Sequence, residues 1–118
     1  KIISYVEQLT GVEVTQVRSL GGGSLSPLWC QIKADVMGRE VVTMKQTQDA
    51  ACLGAAIMAG YGYGIWDSVA DAASKFAEID HVYKPNPENR ETYDLLLKKW
   101  DILIDALEGH TEELARTK

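Results

Sequence analysis

Three consecutive glycines, Gly21, Gly22 and Gly23, stand between a β-branched stretch and a helix start, and they constrain the fold more than any other feature of the chain. Ahead of them, Val12, Val14 and Val17 partly alternate with Glu13, Thr15 and Gln16, which predicts a strand ending near Leu20. Behind them, Ser26 suits a helix N-cap and Pro27 the first helical position, where a missing N–H costs nothing. Leu28, Ile32 and Val36 recur every four residues and predict the buried face of that helix, which Gly38 should stop. Val41, Val42 and Thr43 then predict a second strand over residues 40–44. Strand, glycine loop, helix and strand make a βαβ unit, so the two strands should run parallel with a right-handed crossover. The expected class is α/β, a βαβ unit with several packed helices.

Further helices flank this unit. Ile2, Ile3, Val6 and Leu9 predict a short helix over 2–9, closed by Gly11 as a left-handed cap. A third helix is expected from residues 47–49 to about Gly60; it is apolar on every face and should be buried all round, with Gly54 permitting close backbone approach. Residues 68–77 read as a modest helix with Ser68 as cap and Val69, Ala72, Ala73 and Phe76 on one face. Residues 79–83 read as an extended piece and 84–87 as a turn. From Glu88, the stripe Tyr93, Leu96, Leu97, Trp100, Leu103, Ile104 and Leu107 predicts a long helix packed on a core and ended by Gly109, with a polar tail over 110–118. A helix beginning at once without an initiator Met, and an all-apolar helix that 118 residues can scarcely cover, together suggest a piece of a longer protein.

Composition excludes several function classes. With 46% hydrophobic and 25% charged residues the chain is a folded domain, not a disordered one. A net charge of −5 without a basic block argues against a nucleic-acid surface. Cys30 and Cys52 form neither a disulfide framework nor a zinc knuckle, and read as two packed thiols of a reduced, cytoplasmic protein. His81 and His110 are isolated, so no metal site is expected. The uncharged run 50–66 is strongly apolar only to Ala59, too short for a bilayer core of about 30 Å, so no membrane span is expected.

The glycine loop is the first candidate for chemistry, since a turn between strand and helix favours a phosphate through N–H groups and the helix dipole. The alternative is a plain turn: position 26 is serine where a dinucleotide fingerprint has its third glycine, and no Gly-Lys-Ser/Thr follows. Asp35 reads as a surface or capping group. Asp49 either favours its helix N-terminus or helps fix the neighbourhood of the loop. Trp29, Trp66 and Trp100 read as core or interface anchors, and Tyr61 to Gly64 as a helix exit. No serine has a His/Asp partner in a short motif.

The string from Leu20 to Gly38, LGGGSLSPLWCQIKADVMG, resembles the C-terminal signature of the FGGY carbohydrate kinases, and of their xylulose kinase group in particular. Asp49 to Ile57, DAACLGAAI, resembles that family's acidic-AAALGAAI helix, and Tyr83 to Glu88, YKPNPE, its Y-x-P-x-P-E turn. The resemblance implies an enzyme that transfers the γ-phosphate of ATP, accompanied by Mg, to a sugar hydroxyl, xylulose first. It implies two actin-like, RNase H-like domains, of which residues 1–118 are the last part of the second. Gly21, Gly22 and Gly23 would then approach ATP through their backbone, with Gly22 at positive φ, and Ser26 would lie near the adenine. The catalytic aspartate and most sugar contacts would lie upstream, leaving no catalytic residue and no metal site here. The implied partners are ATP and the sugar, the latter through a domain absent from this chain; separately, the apolar helix over 50–59, left partly uncovered, predicts that the fragment associates with itself. Leu25 and Cys30 stand where the family has frequent basic residues, a departure that either weakens ATP contacts or touches only surface groups. The rival readings are a kinase for another ketose or polyol, a non-catalytic nucleotide-binding homologue, and a small stand-alone interaction domain.

Overall fold

The computed structural model describes residues 2–45 and 48–116. Residues 1–85 and 86–118 form two compact units. The first contains α1 (Ile2–Thr10), β1 (Gln16–Ser19), a 3₁₀ turn (Gly22–Leu25), α2 (Pro27–Met37), β2 (Glu40–Met44), α3 (Ala50–Gly62), α4 (Val69–Phe76) and β3 (Ile79–Tyr83). The second contains a 3₁₀ turn (Pro87–Asn89) and α5 (Arg90–Arg116).

β1 and β2 pair in parallel, Val17 opposite Val41 and Ser19 opposite Thr43, so the expected βαβ unit is present with α2 as its crossover. β3, expected only as an extended piece, is a strand of the same sheet and pairs antiparallel with β2, Val42 opposite Val82. The order is β1-β2-β3.

β1 is shorter than its valines suggest. The β2 register begins with Glu40 opposite Gln16, so Val12 and Val14 have no strand to pair with. The Val14 N–H instead donates to Glu7 Oε1 at 2.8 Å, and Arg39 meets the same oxygen at 3.3 Å. These contacts tie the end of α1 to the start of β2. The Val14 N–H first, and then Arg39, hold the Glu7 carboxyl below its ordinary value. Gly11 closes α1 as expected, at φ +67 with its N–H on Glu7 O at 2.9 Å.

The buried face of α2 is not the Leu28, Ile32, Val36 row. Cys30 and Ala34 are fully buried with Val41, and Val17, Met37 and Tyr83 pack around them. Leu28 is 72% exposed, while Ile32 and Val36 are half-buried. Small side chains on the Cys30–Ala34 row allow the helix to lie close against the sheet. Asp35, expected at the surface, is buried; its Oδ1 accepts from Gln31 Nε2 at 2.8 Å, and that amide also donates to Lys84 O at 2.8 Å. A buried carboxylate is retained when it is hydrogen-bonded.

α3 also departs from expectation. The proposed start at Thr47 lies outside the described residues. Asp49 occupies the N-cap position of α3 without a side-chain cap bond. Only Ile57 and Gly60 are buried, and Met58 and Tyr61 are exposed. Among the described elements α4 is the main neighbour of α3, and one short helix covers one side of it. A Cβ on Gly54 would meet nothing within 4 Å, so no close approach occurs there. At Gly60 it would lie 2.8 Å from Trp66 Cδ1 and closer still to Nε1. The exit is as expected: Ile65 N–H bonds Gly60 O at 2.8 Å, and Gly64 turns at φ +79. Trp66 then meets Phe76 edge-on at 6.1 Å. Ser68 caps α4 through the Asp71 N–H at 3.0 Å, and Ala72 is buried beneath it.

In the second unit, Asn86 Oδ1 accepts from the Glu88 N–H at 3.0 Å, and Arg90 Nε donates to Asp94 at 3.0 Å. α5 continues through Gly109 to Arg116 instead of stopping. One interior glycine costs about 1 kcal/mol relative to Ala, which the flanking helix formers offset. Leu96, Trp100, Leu103 and Leu107 are exposed, since the unit offers their stripe no second long element. Cys30 is packed as expected, but Cys52 is exposed. No helix among the described residues is long and apolar enough to cross a membrane.

Candidate functional site

The carboxyl ends of β1 and β2 lie side by side, the edge at which parallel strands present their loops to ligands. The chain leaves β1 through Leu20 and turns at Gly21, with φ 79 and ψ −173, a region open essentially to glycine alone. The Gly21 carbonyl then accepts twice from one residue, from the Ser24 N–H at 3.0 Å and from Ser24 Oγ at 2.6 Å. The Ser24 carbonyl in turn accepts from Cys30 Sγ at 3.5 Å, which fastens the loop to α2. Ser26 Oγ accepts from the Trp29 N–H at 3.3 Å and caps α2, and Pro27 follows within the first turn.

Gly21, Gly22, Gly23 and Ser26 therefore occupy one continuous turn at the mouth of the sheet and the start of α2. A Cβ on Gly21 or Gly22 would meet nothing within 4 Å, and one on Gly23 would touch Trp29 Cδ1 at 3.5 Å. Of the three glycines only Gly21 has positive φ, contrary to the expectation for Gly22. One residue in the glycine-only region reverses the chain, after which Gly22 to Leu25 wind as an ordinary 3₁₀ turn. The open backbone lies beside the N-terminus of an eleven-residue helix, whose dipole favours negative charge.

Ser24 is the residue to which sequence reasoning gave no part of its own, while Cys30, read there as a packed thiol, is the one that fastens it. A serine hydroxyl bonding its own turn is a known habit of that side chain, and it was the available signal. Cys30 is 0% exposed and so lies inside the core, where a basic side chain has no room; Leu25 is 53% exposed.

A cavity of about 370 Å³ opens beside the loop, lined by Ser24, Leu25 and Pro27 on one side and Thr43, Lys45 and Tyr83 on the other. Lys45 pairs with Glu78, and that hydrogen bond with its charge raises the ammonium above its ordinary value. Burial, then the neighbouring Cys30 and Asp80, push the Tyr83 phenol upward. The Lys33 ammonium bonds the Ser19 hydroxyl at the end of β1. An apolar hollow of about 170 Å³ lies past Leu20, against Met44, Leu53, Gly54 and Ile57. His81 pairs with Asp80 at 2.8 Å. Among the described residues no three His, Cys, Asp or Glu side chains gather at ligand spacing.

Residues 1–63 match the C-terminal domain of the FGGY family of carbohydrate kinases. The autoinducer-2 kinase of Salmonella choleraesuis strain SC-B67 is 40% identical over 98 residues, which cover 83% of this chain and 18% of that protein. The xylulose kinase of Staphylococcus epidermidis strain ATCC 35984 is 29% identical over 104 residues, covering 88% of this chain and 21% of that protein. The ligand-bound xylulose kinase of Lactobacillus acidophilus superposes with a TM-score of 0.72 at 26% identity, over 90% of this chain and 22% of that one. The chain thus spans about a fifth of the length of the relatives it matches. With the βαβ unit and its glycine turn on the same residues as the family match, the chain belongs to the FGGY family of carbohydrate kinases and carries part of their actin-like ATPase fold.

Proposed function

We propose that residues 1–118 are the nucleotide-binding, last part of the second domain of an ATP-dependent carbohydrate kinase that works in the cytoplasm. The observation that supports this best is the open glycine turn at the carboxyl edge of the parallel pair, next to a capped helix start. Phosphoryl transfer depends on positioning and on charge stabilisation more than on covalent chemistry from the protein. Gly21, Gly22 and Gly23 let the nucleotide lie against the backbone, and the N-terminus of α2 stabilises negative charge there. Ser26 stands at the exposed start of α2, where the adenine would lie, while its hydroxyl caps the helix. A magnesium ion bound with ATP supplies charge neutralisation at the phosphates. The general base and most sugar contacts are assigned to parts of the protein outside this chain.

Xylulose is the first candidate acceptor. Autoinducer-2 is the second, favoured by the higher identity to the kinase named for it, 40% against 29%. The test is ADP release by the full-length protein with ATP and a panel of xylulose, other ketoses, polyols and autoinducer-2. One acceptor should stimulate release far above the rest. ATP binding without turnover on any acceptor would point to a non-catalytic homologue, and no ATP binding at all would overturn the nucleotide assignment. The 118-residue chain alone should phosphorylate no sugar, because one wall of a cleft cannot make a near-attack geometry.

A further inference from the structure

We infer that Ser24 is a positioning residue for the nucleotide, acting through Gly21, and that Cys30 anchors it. The inference rests on the nucleotide reading of the loop. Gly21 holds a backbone conformation that local sterics do not enforce, since glycine has the widest choice of any residue. Something else must select it. The two Ser24 bonds to the Gly21 carbonyl, at 2.6 and 3.0 Å, close the turn from within. Ser24 is 5% exposed, so this hydroxyl serves the loop from its buried side while Gly22 and Gly23 face solvent.

Cys30 completes the arrangement. Its thiol reaches the Ser24 carbonyl at 3.5 Å, and its own N–H bonds Ser26 O at 3.0 Å. Cys30 is fully buried against Val41 of the sheet. The loop is thereby referenced to the rigid βαβ core, not to its own flexible backbone. Pre-organisation of this kind lowers the ordering cost of binding a ligand against the loop. Removing the Ser24 hydroxyl should therefore act on the nucleotide and leave the acceptor alone.

The test is steady-state kinetics of the full-length kinase carrying Ser24→Ala, Ser24→Thr, Gly21→Ala or Cys30→Ala, with Ser74→Ala as control. Ser74 makes the same kind of bond, Oγ to Asp71 O at 2.7 Å, on exposed α4. Ser24→Ala should raise the KM for ATP about three- to tenfold, the loss of one loop hydrogen bond, with the acceptor KM unchanged. Ser24→Thr should restore part of it, Cys30→Ala should act in the same direction but less, and Ser74→Ala should change neither constant. If Gly21→Ala raises the KM for ATP and Ser24→Ala does not, the positioning role is wrong while the nucleotide loop stands. If Gly21→Ala moves only the acceptor KM, the nucleotide reading itself fails. If Ser24→Ala yields no folded protein, Cys30→Ala decides: an unchanged KM for ATP overturns the inference, and a raised one supports it.

Discussion

Gly21 and Gly60 are glycines for different physical reasons, and substitution separates them. At Gly21 the difficulty is the backbone: with φ 79 and ψ −173, any side chain costs about 1–3 kcal/mol, although the space around it is open. At Gly60 the backbone is helical and the obstacle is the Trp66 indole, so Gly60→Ala should destabilise by about 1–3 kcal/mol through overpacking. Chemical denaturation of Gly60→Ala with and without Trp66→Leu checks this, because removing the indole should recover most of the loss. Glu7 carries a pH signature. Its folded pKa lies below the ordinary value of 4.5, chiefly through the Val14 N–H. Its contribution is therefore complete above the unfolded value and is lost as pH falls through the folded one. Urea midpoints taken from neutral pH downward should fall more steeply through that window in the wild type than in Glu7→Gln. Parallel curves would remove Glu7 from the account.

At the scale of elements, α2 and its flanks were legible because their signals are local. Ser26 at the cap, Pro27 in the first turn and Gly38 at φ 61 specify where the helix begins and ends without reference to anything distant. Its buried face was not legible, since Leu28, Ile32 and Val36 outrank Cys30 and Ala34 in size, and only the sheet decides which row touches it. The pairing of β3 and the late start of β1, which leaves Val12 and Val14 out of the sheet, are likewise settled by β2, a distant segment. The glycine turn between β1 and α2 was legible as a turn, but the two hydrogen bonds from Ser24 that shape it were not. α3 yields a prediction opposite to the close packing its sequence suggests. Gly54 faces open space inside a helix, so Gly54→Ala should stabilise by about 1 kcal/mol, read as a raised melting temperature. A lowered one would mean that this face of α3 is tightly covered.

For the whole molecule, exposed apolar surface has the most direct consequence. Met58 and Tyr61 on α3, and Leu28 and Trp29 on α2, are about half exposed or more, and surfaces of that kind mark contacts with other protein. The isolated 118-residue chain should self-associate, so its sedimentation coefficient should rise with concentration and a hydrophobic dye should bind. A strictly monomeric, dye-silent species would argue that the chain satisfies its own surface. The central claim, that the glycine turn receives the nucleotide, is tested most directly by Gly22→Val in the full-length protein. Gly22 has neither positive φ nor a neighbour within 4 Å, so the new side chain can be accommodated by the fold and projects where a ligand would approach the backbone. Steady-state kinetics should show the KM for ATP raised at least about tenfold, the scale of one lost close contact, with the acceptor KM and the melting temperature nearly unchanged. A rise confined to the acceptor KM, in a protein that melts like the wild type, would contradict it.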